Sequence, residues 1–301
     1  PPPPKKRYRD HRHLHLRLRR QRQMCIRDSF LDYLPKFTHN LSLRDESIKD
    51  IKFTPDGVYL SSSKSELYQQ RFDFVVDCTG GKSLLNDNYY FDSKFVSVNT
   101  VLALRLPEPA DWGCTITYAH QNGWMFGIPL QSRRTFGYTY NDNITTEEEA
   151  LKDFRTIIPE ALGYPYKKFK WTPRLSKYMV HHSGRYIRNG NAIGFIDPLE
   201  ANGLYLVVYG ITLLVKCILK GSSPKAYNKT VMKVQKDNSN YILHHYMLTK
   251  RNDTEFWRYY NQFDVSKTVW EFFDKHPNKH TNLYSSAMWA QLGLYFDVPK
   301  P

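Results

Sequence analysis

The sequence predicts an α/β protein in which a buried strand, an antiparallel sheet and a set of long helices follow one another along the chain. Three observations carry this. Phe74-Val75-Val76-Asp77-Cys78-Thr79-Gly80-Gly81 is an apolar, β-branched run that ends on a glycine pair. Such a run reads as a buried strand opening into a loop where backbone must approach something closely. Residues 95–140 are rich in valine, leucine, threonine and aromatic residues with extended patterning, which favours strands. Residues 204–219 are almost continuously apolar, and 225–301 hold long helical patterns rich in aromatic and basic residues.

Each element has a local reason. Apolar residues alternate from Ile48 to Phe53, Pro55-Asp56-Gly57 supplies a turn, and Val58 to Ser62 resumes the extended pattern, so a hairpin is predicted. Taken alone, the 74–81 run fits any core strand with a tight turn equally well. Phe95–Leu106, Thr115–Tyr118 and Thr135–Tyr140, with Asn122–Pro129 between the last two, read as an antiparallel sheet. Thr145 and Thr146 stand before three glutamates, and Leu151, Phe154, Ile157 and Ile158 follow; this is a capped amphipathic helix, ended by Pro159. Leu204 to Leu219 is long enough for a buried helix despite Gly210, and Gly221-Ser222-Ser223-Pro224 breaks it. No internal repeat is found.

Composition excludes several classes. With 41% hydrophobic and 24% charged residues in 301, the chain is that of a folded protein. No apolar run approaches the ~20 residues of a bilayer span, so no membrane partner is expected. Cys25, Cys78, Cys114 and Cys217 form no C-x-x-C pair, which speaks against a zinc ribbon or a disulfide scaffold and for a reducing, cytoplasmic compartment. The net charge of +14 invites a nucleic-acid reading. Residues 1–28, however, hold ten Lys/Arg against two Asp, a net of +8, leaving +6 for the rest. That stretch has no periodicity, and residues 8–29 resemble translated sequencing-library adapter, most clearly Arg19 to Ser29 (RRQRQMCIRDS). Residues 1–29 are therefore set aside as a non-native tail, no nucleic-acid partner is expected, and the native N-terminus is expected to be missing.

No H-E-x-x-H, clustered metal ligands, G-x-S-x-G elbow or Walker loop is present, so no metal site is predicted. The pairs His181-His182 and His244-His245 read as ordinary surface or satisfied core histidines. Segment 189–203 differs. Several glycines and a proline surround Glu200 just before the apolar helix, a setting in which backbone N–H groups can crowd around an anion or a flat ring. On the residues alone, interaction of Glu200 with the helix N-terminus comes first and a general base second.

Four segments in order resemble the flavin-dependent halogenases of the tryptophan halogenase type. Phe74 to Gly80 is similar to that family's strand ending in D-C-[ST]-G. Gly123-Trp124-Met125-Phe126-Gly127-Ile128-Pro129-Leu130 is similar to G-W-x-W-x-I-P-L, with Phe126 replacing the second tryptophan. Gly190 to Ala201 is similar to G-N-A-x-G-F-[VI]-E-P-L-E-[AS], with Asp197 for the first glutamate. His244-His245-Tyr246 through Asp253-Thr254-Glu255-Phe256-Trp257-Arg258 is similar to H-Y-x-L-T…F-W-R.

The resemblance implies reduced FAD and O2 as reactants that oxidise a bound halide ion, chloride or bromide, to hypohalous acid. The acid then halogenates a small, electron-rich aromatic substrate of tryptophan or indole type. It assigns Glu200 as the catalytic acidic residue that orients or deprotonates the substrate. Thr79, Gly80, Gly190, Gly194 and Pro198 become cofactor-binding positions, and Asn202 and Gly203 halide-binding ones, with Asn202 standing where the family has threonine. Trp124, Phe126, Ile128 and Pro129 line the wall between flavin and tunnel, where excluding water protects a reactive species. A separate flavin reductase is the implied partner, and a homo-oligomer is compatible.

The family's G-x-G-x-x-G, which seats the FAD pyrophosphate, does not occur in this sequence, and its catalytic lysine finds no matching position. Both are expected before Phe30, so the 301-residue chain is expected to be inactive by itself and not to retain FAD. The domain plan implied is the tail 1–29, the remaining part of an FAD-binding Rossmann-like domain over 30–85, an antiparallel sheet and substrate domain over 86–185, a return to the FAD-binding domain with the active-site turn over 186–222, and a helical C-terminal subdomain over 223–301. The competing readings are a flavin-dependent aromatic monooxygenase, which shares the cofactor chemistry, and a basic nucleic-acid-binding module.

Overall fold

The computed structural model describes residues 44–62, 70–85, 89–90, 97–130, 132–201, 203–220 and 223–263, together with Ser42 and Phe296. The predicted tail, Asn202 and most of 264–301 lie outside these. The chain divides into two compact units, residues 1–44 with 100–170 and residues 45–99 with 171–301.

The second unit opens with the predicted hairpin. Strands β1 (Ile48–Phe53) and β2 (Val58–Ser62) pair antiparallel around Ile51↔Leu60. The turn is closed by the Thr54 N–H donating to Gly57 O at 2.9 Å and the Thr54 hydroxyl donating to Asp56 at 2.6 Å. Strand β3 (Arg71–Phe72) extends this sheet. Strands β4 (Val75–Asp77) and β5 (Tyr89–Tyr90) follow and belong to other sheets.

The first unit is a five-stranded antiparallel sheet. Its strands are β6 (Thr100–Leu106), β7 (Ile116–Ala119), β8 (Trp124–Pro129), β9 (Arg134–Tyr140) and, after helix α1 (Glu147–Ile157), β10 (Tyr166–Lys170), in the order β10-β6-β9-β8-β7. Thr146 caps α1 in a full capping box with Glu149, which satisfies orphan donors at the helix start. The helix ends at Ile157, and Pro159 opens a 3-10 turn over Pro159–Gly163. Leu102, Leu104, Leu106, Met125, Phe136, Tyr138 and Tyr140 bury one sheet face with Ala150 and Phe154 of α1. Asp153 of α1 is buried and fastens the β7–β8 turn. Its Oδ2 accepts from Asn122 N and Nδ2, each at 3.0 Å, and from the Tyr138 hydroxyl at 2.8 Å.

Successive residues of β8 point to opposite faces. Met125 joins the core against α1, whereas Trp124, Phe126 and Ile128 share the other face, with the Trp124 and Phe126 rings 5.9 Å apart. Phe126 lies opposite Gly137, its ring filling the space where that glycine has no side chain. Gly123, just before the strand, has no room for more, because a Cβ there would lie 2.1 Å from the Thr139 carbonyl oxygen. Gly123→Ala is therefore expected to destabilise the sheet by about 1–3 kcal/mol, read as a lower urea midpoint; an unchanged midpoint would contradict the close approach.

The chain then returns to the second unit through β11 (Arg174–Ser176), β12 (Tyr186–Arg188) and β13 (Gly194–Phe195). β11 pairs antiparallel with β13 and β5, and β12 pairs parallel with β4. Helices α2 (Gly203–Lys220), α3 (Pro224–Met247) and α4 (Glu255–Asn261) complete it, with Ser223 capping α3 and Thr254 capping α4. Asn228 of α3 docks that helix by accepting from Met179 N at 2.9 Å and Val180 N at 2.8 Å and donating to Val180 O at 2.7 Å.

Two sequence expectations are corrected here. The 74–81 strand is buried on one face only: Val75 and Asp77 are buried, while Phe74 and Val76 are about half exposed, because among the described residues β4 pairs only with β12. Helix α2 forms as predicted but is not buried. Leu204, Tyr205, Val208, Ile211 and Val215 are exposed, while Leu213 and Leu214 pack on Met179, Ile187 and Tyr227. A helix apolar on every side carries no sequence mark of which face will be covered. Among the described residues no helix is long and apolar enough to cross a membrane.

Candidate active site

The parallel pair β4 and β12 ends in two glycine turns that lie side by side. Gly80 opens a 3-10 turn at φ 72° and Gly190 another at φ 59°, left-handed conformations that favour glycine. A Cβ on Gly80 would come within 4.0 Å of Asn191. Crevices beyond the carboxyl ends of parallel strands are where α/β proteins bind their ligands. Asn189, just before Gly190, is buried, and among the described residues its Oδ1 has no hydrogen-bond partner.

Below these turns sits a buried polar network. Asp77 accepts from Thr79 N at 2.8 Å, Thr79 Oγ1 at 2.6 Å, Ser83 Oγ at 3.0 Å, Leu84 N at 2.9 Å and the Tyr186 hydroxyl. Burial works to raise its pKa, but the Thr79 and Tyr186 bonds outweigh it and hold the carboxyl below its ordinary value. Burial, with the Asp77 carboxylate beside it, pushes the Tyr186 phenol up to about 12. Arg188, fully buried, donates to Ser83 Oγ at 3.1 Å, Ser176 Oγ at 2.5 Å and Leu85 O at 3.1 Å, and its guanidinium lies 4.5 Å from the centre of the Tyr178 ring. Ser83 thus links a buried anion to a buried cation.

The second cluster is the loop leading into α2. Asp197 is buried and accepts from Leu199 N at 2.7 Å and the Tyr246 hydroxyl at 2.8 Å. Burial pushes its carboxyl up against those bonds. Beyond it Glu200 (φ 67°) and Ala201 (φ 47°) are both left-handed, a costly arrangement for two non-glycine residues. The Glu200 carboxylate lies 3.7 Å from His245 Nε2 on α3. The His245 Nδ1 is 2.9 Å from Tyr241 O, and its ring meets Tyr241 edge-on at 4.9 Å and Phe296 at 6.5 Å. A carboxylate on a strained turn, aimed toward an imidazole and adjoining a helix start, can take a proton or orient a polar group.

The sequence model of the tryptophan halogenase family matches residues 29–295. The chain belongs to the tryptophan halogenase family. Tryptophan 6-halogenase SttH of Streptomyces toxytricini is 29% identical over 201 residues, covering 62% of this chain and 38% of SttH. Tryptophan 7-halogenase RebH of Lentzea aerocolonigenes is 26% identical over 219 residues, covering 67% of this chain and 40% of RebH. The chain thus spans about two fifths of the length of these curated relatives. Among solved structures, the flavin-dependent halogenase BrvH of Brevundimonas sp. BAL3 superposes with a TM-score of 0.72 at 20% identity, covering 86% of this chain and 56% of BrvH. A tryptophan halogenase of Shewanella frigidimarina gives 0.76 at 18%, covering 92% and 58%. The α/β fold is that of flavin-dependent halogenases.

In this halogenase-family chain Thr79, Gly80, Gly190, Gly194, Pro198, Glu200 and Gly203 all belong to the second unit. Thr79 spends its N–H and hydroxyl on Asp77. Gly194 has a local reason to be glycine, since a Cβ would lie 2.7 Å from the Arg174 carbonyl oxygen. The Pro198 carbonyl accepts from Ala201 N at 3.1 Å. Gly203 is the first residue of α2, with open space at its Cβ position; Asn202 lies outside the described residues. Trp124, Phe126, Ile128 and Pro129 belong to the other unit, with Pro129 on the opposite strand face from the other three. Sequence reasoning placed a capping role first for Glu200; among the described residues its carboxylate pairs with α3 and not with the first turn of α2. It also set aside His245 and drew nothing from Asp197, whose bond to Tyr246 ties the loop to α3. No local signal marks either contact, though both histidine and tyrosine stand in the H-Y motif.

Proposed function

We propose that the gene product carrying these residues halogenates an electron-rich aromatic ring of tryptophan or indole type, using reduced FAD, O2 and chloride or bromide. The carrying observation is Glu200, a carboxylate held on a left-handed turn at the start of α2 and facing His245. The site suits the cofactor in part. The left-handed turns at Gly80 and Gly190 lie together at the ends of β4 and β12, and among the described residues the buried Asn189 Oδ1 beside them has no hydrogen-bond partner. Thr79, Gly80, Gly190 and Pro198 would border the flavin. Bound there, reduced FAD with O2 supplies the oxidising equivalent that turns halide into hypohalous acid.

The chain's own residues then act on the aromatic ring. The start of α2 at Gly203 presents N–H groups without helical partners, donors suited to a halide. The ring carbon bonds to the halogen of the acid, the oxygen–halogen bond breaks to release hydroxide, and the ring proton passes to the Glu200 carboxylate, which returns it to hydroxide as water. A flavin reductase would be the separate partner that supplies reduced FAD.

The test is an omission series with indole and tryptophan as substrates. Product is expected only when halide, reduced flavin and O2 are all present. Oxygenated product that is indifferent to halide would replace this reading with that of an aromatic monooxygenase.

A further inference from the structure

We propose that His245 is a positioning residue for Glu200, the hydrogen-bond acceptor that receives the carboxyl group once it is protonated. The inference rests on the reading of Glu200 as the proton acceptor and names the group that completes it.

The geometry comes from three constraints on one loop. Glu200 and Ala201 occupy left-handed backbone at φ 67° and 47°, a conformation that strains non-glycine residues. Such a conformation persists only when its surroundings hold it. The loop is held at Asp197, which accepts from Leu199 N at 2.7 Å and from the Tyr246 hydroxyl at 2.8 Å. Its third constraint is the adjacent residue of the same helix, because His245 Nε2 lies 3.7 Å from Glu200 Oε1. Consecutive residues of α3 therefore grip the loop at both ends of the Asp197–Glu200 segment.

The imidazole is oriented rather than free to turn. His245 Nδ1 lies 2.9 Å from the Tyr241 carbonyl oxygen, so the ring proton of the neutral form belongs on Nδ1, where it donates to that carbonyl. Nε2 is then a lone pair, and it faces Glu200. The distance exceeds a direct hydrogen bond, so closure needs a small side-chain movement or one bridging water. The side chains are 21% and 28% exposed, which admits either. An ionised Glu200 gains nothing from a neutral lone pair, whereas a protonated one donates to it. The pair therefore favours the state of Glu200 that exists after it has taken the ring proton.

Among the described residues, the titratable groups facing His245 are Glu200 from the loop before α2, and Tyr241 and His244 of its own helix. Burial lowers the His245 pKa below the ordinary histidine value, with Glu200 pulling the other way. Burial takes the neighbouring His244 down to about 4 and keeps the Tyr241 phenol neutral. Burial thus favours the neutral ring, the form that accepts a proton or a hydrogen bond.

The test combines a spectroscopic and a kinetic measurement. The imidazole signals of His245 are followed by NMR against pH in the wild type and in Glu200→Gln, with no cofactor required. Removing the carboxylate is expected to lower the His245 titration midpoint by about one unit; a histidine that merely fills space would not move, and an unmoved midpoint overturns the proposal. In halide-dependent turnover, His245→Phe is expected to lower kcat about tenfold with KM unchanged, and His245→Gln, which keeps a polar atom near the Nε2 position, to recover part of it. Unchanged kcat in His245→Phe overturns the proposal and leaves the halogenase reading intact. If the gene product carrying these residues, supplied with reduced flavin, O2 and halide, makes no halide-dependent product while the NMR coupling is present, the halogenase reading fails and the Glu200–His245 pair stands.

Discussion

In the gene product carrying these residues, replacing Glu200 with glutamine is expected to lower kcat/KM for halogenation by about 10²–10⁴-fold, the range a positioned acid or base contributes. Glutamine matches the carboxylate in size and leaves the left-handed backbone at 200 and 201 undisturbed, so stability should stay within about 0.5 kcal/mol of wild type. What it removes is the capacity to take a proton. The loss should therefore fall mainly on kcat, since holding the ring in place does not depend on that proton. Steady-state kinetics beside thermal unfolding separate the two effects. Activity within a few-fold of wild type would show that another group accepts the proton.

The largest stability effect is expected at Asp77. Its carboxylate gathers Thr79 N and Oγ1, Ser83 Oγ, Leu84 N and the Tyr186 hydroxyl, and through Ser83 it faces the buried Arg188. Asp77→Ala removes the acceptor these donors share, strands the buried Ser83 and Tyr186 hydroxyls and takes away the carboxylate that Ser83 links to the buried Arg188, at a cost of about 3–5 kcal/mol. Against a net stability of about 5–15 kcal/mol for a folded domain, that is a large share, and urea denaturation should show it as a sharp fall in midpoint. The same network gives a pH dependence. The Asp77 pKa is depressed on folding, with burial opposing and the Thr79 and Tyr186 bonds prevailing. Its contribution is thus present above the unfolded value of about 3.9 and is lost as pH falls through the lower folded value. Wild type should lose stability on acidification below about pH 4 through this group, and the alanine variant should lack that component.

Much of the fold is legible in sequence because its signals are local. The alternation and turn at 48–62, the β-branched runs that become β6, β7 and β9, and the Thr146 cap of α1 each act within a few residues. β10 is missed, since Tyr166-Lys167-Lys168-Phe169-Lys170 reads as a solvated charged stretch until β6 lies beside it. The exposed faces of β4 and α2 are misread for the converse reason, because apolarity alone does not say which neighbour arrives. The site divides in the same way. Glu200 and the glycines at 80 and 190 stand out through motif and turn chemistry. Arg188 meets Asp77 only when β12 pairs with β4, and His245 meets Glu200 only when α3 folds back on the loop. Those partners are properties of packing, and no short window of sequence contains them.

Halogenation requires that halide, rather than oxygen, be delivered to the aromatic ring. The direct measurement is the mass spectrum of the product formed by the gene product carrying these residues from tryptophan or indole, with a flavin reductase, bromide and isotopically labelled dioxygen. The predicted result is a monobrominated ring, shown by the paired bromine isotope pattern, with no label retained in the product. Labelled oxygen in the ring, formed equally well without bromide, would contradict it.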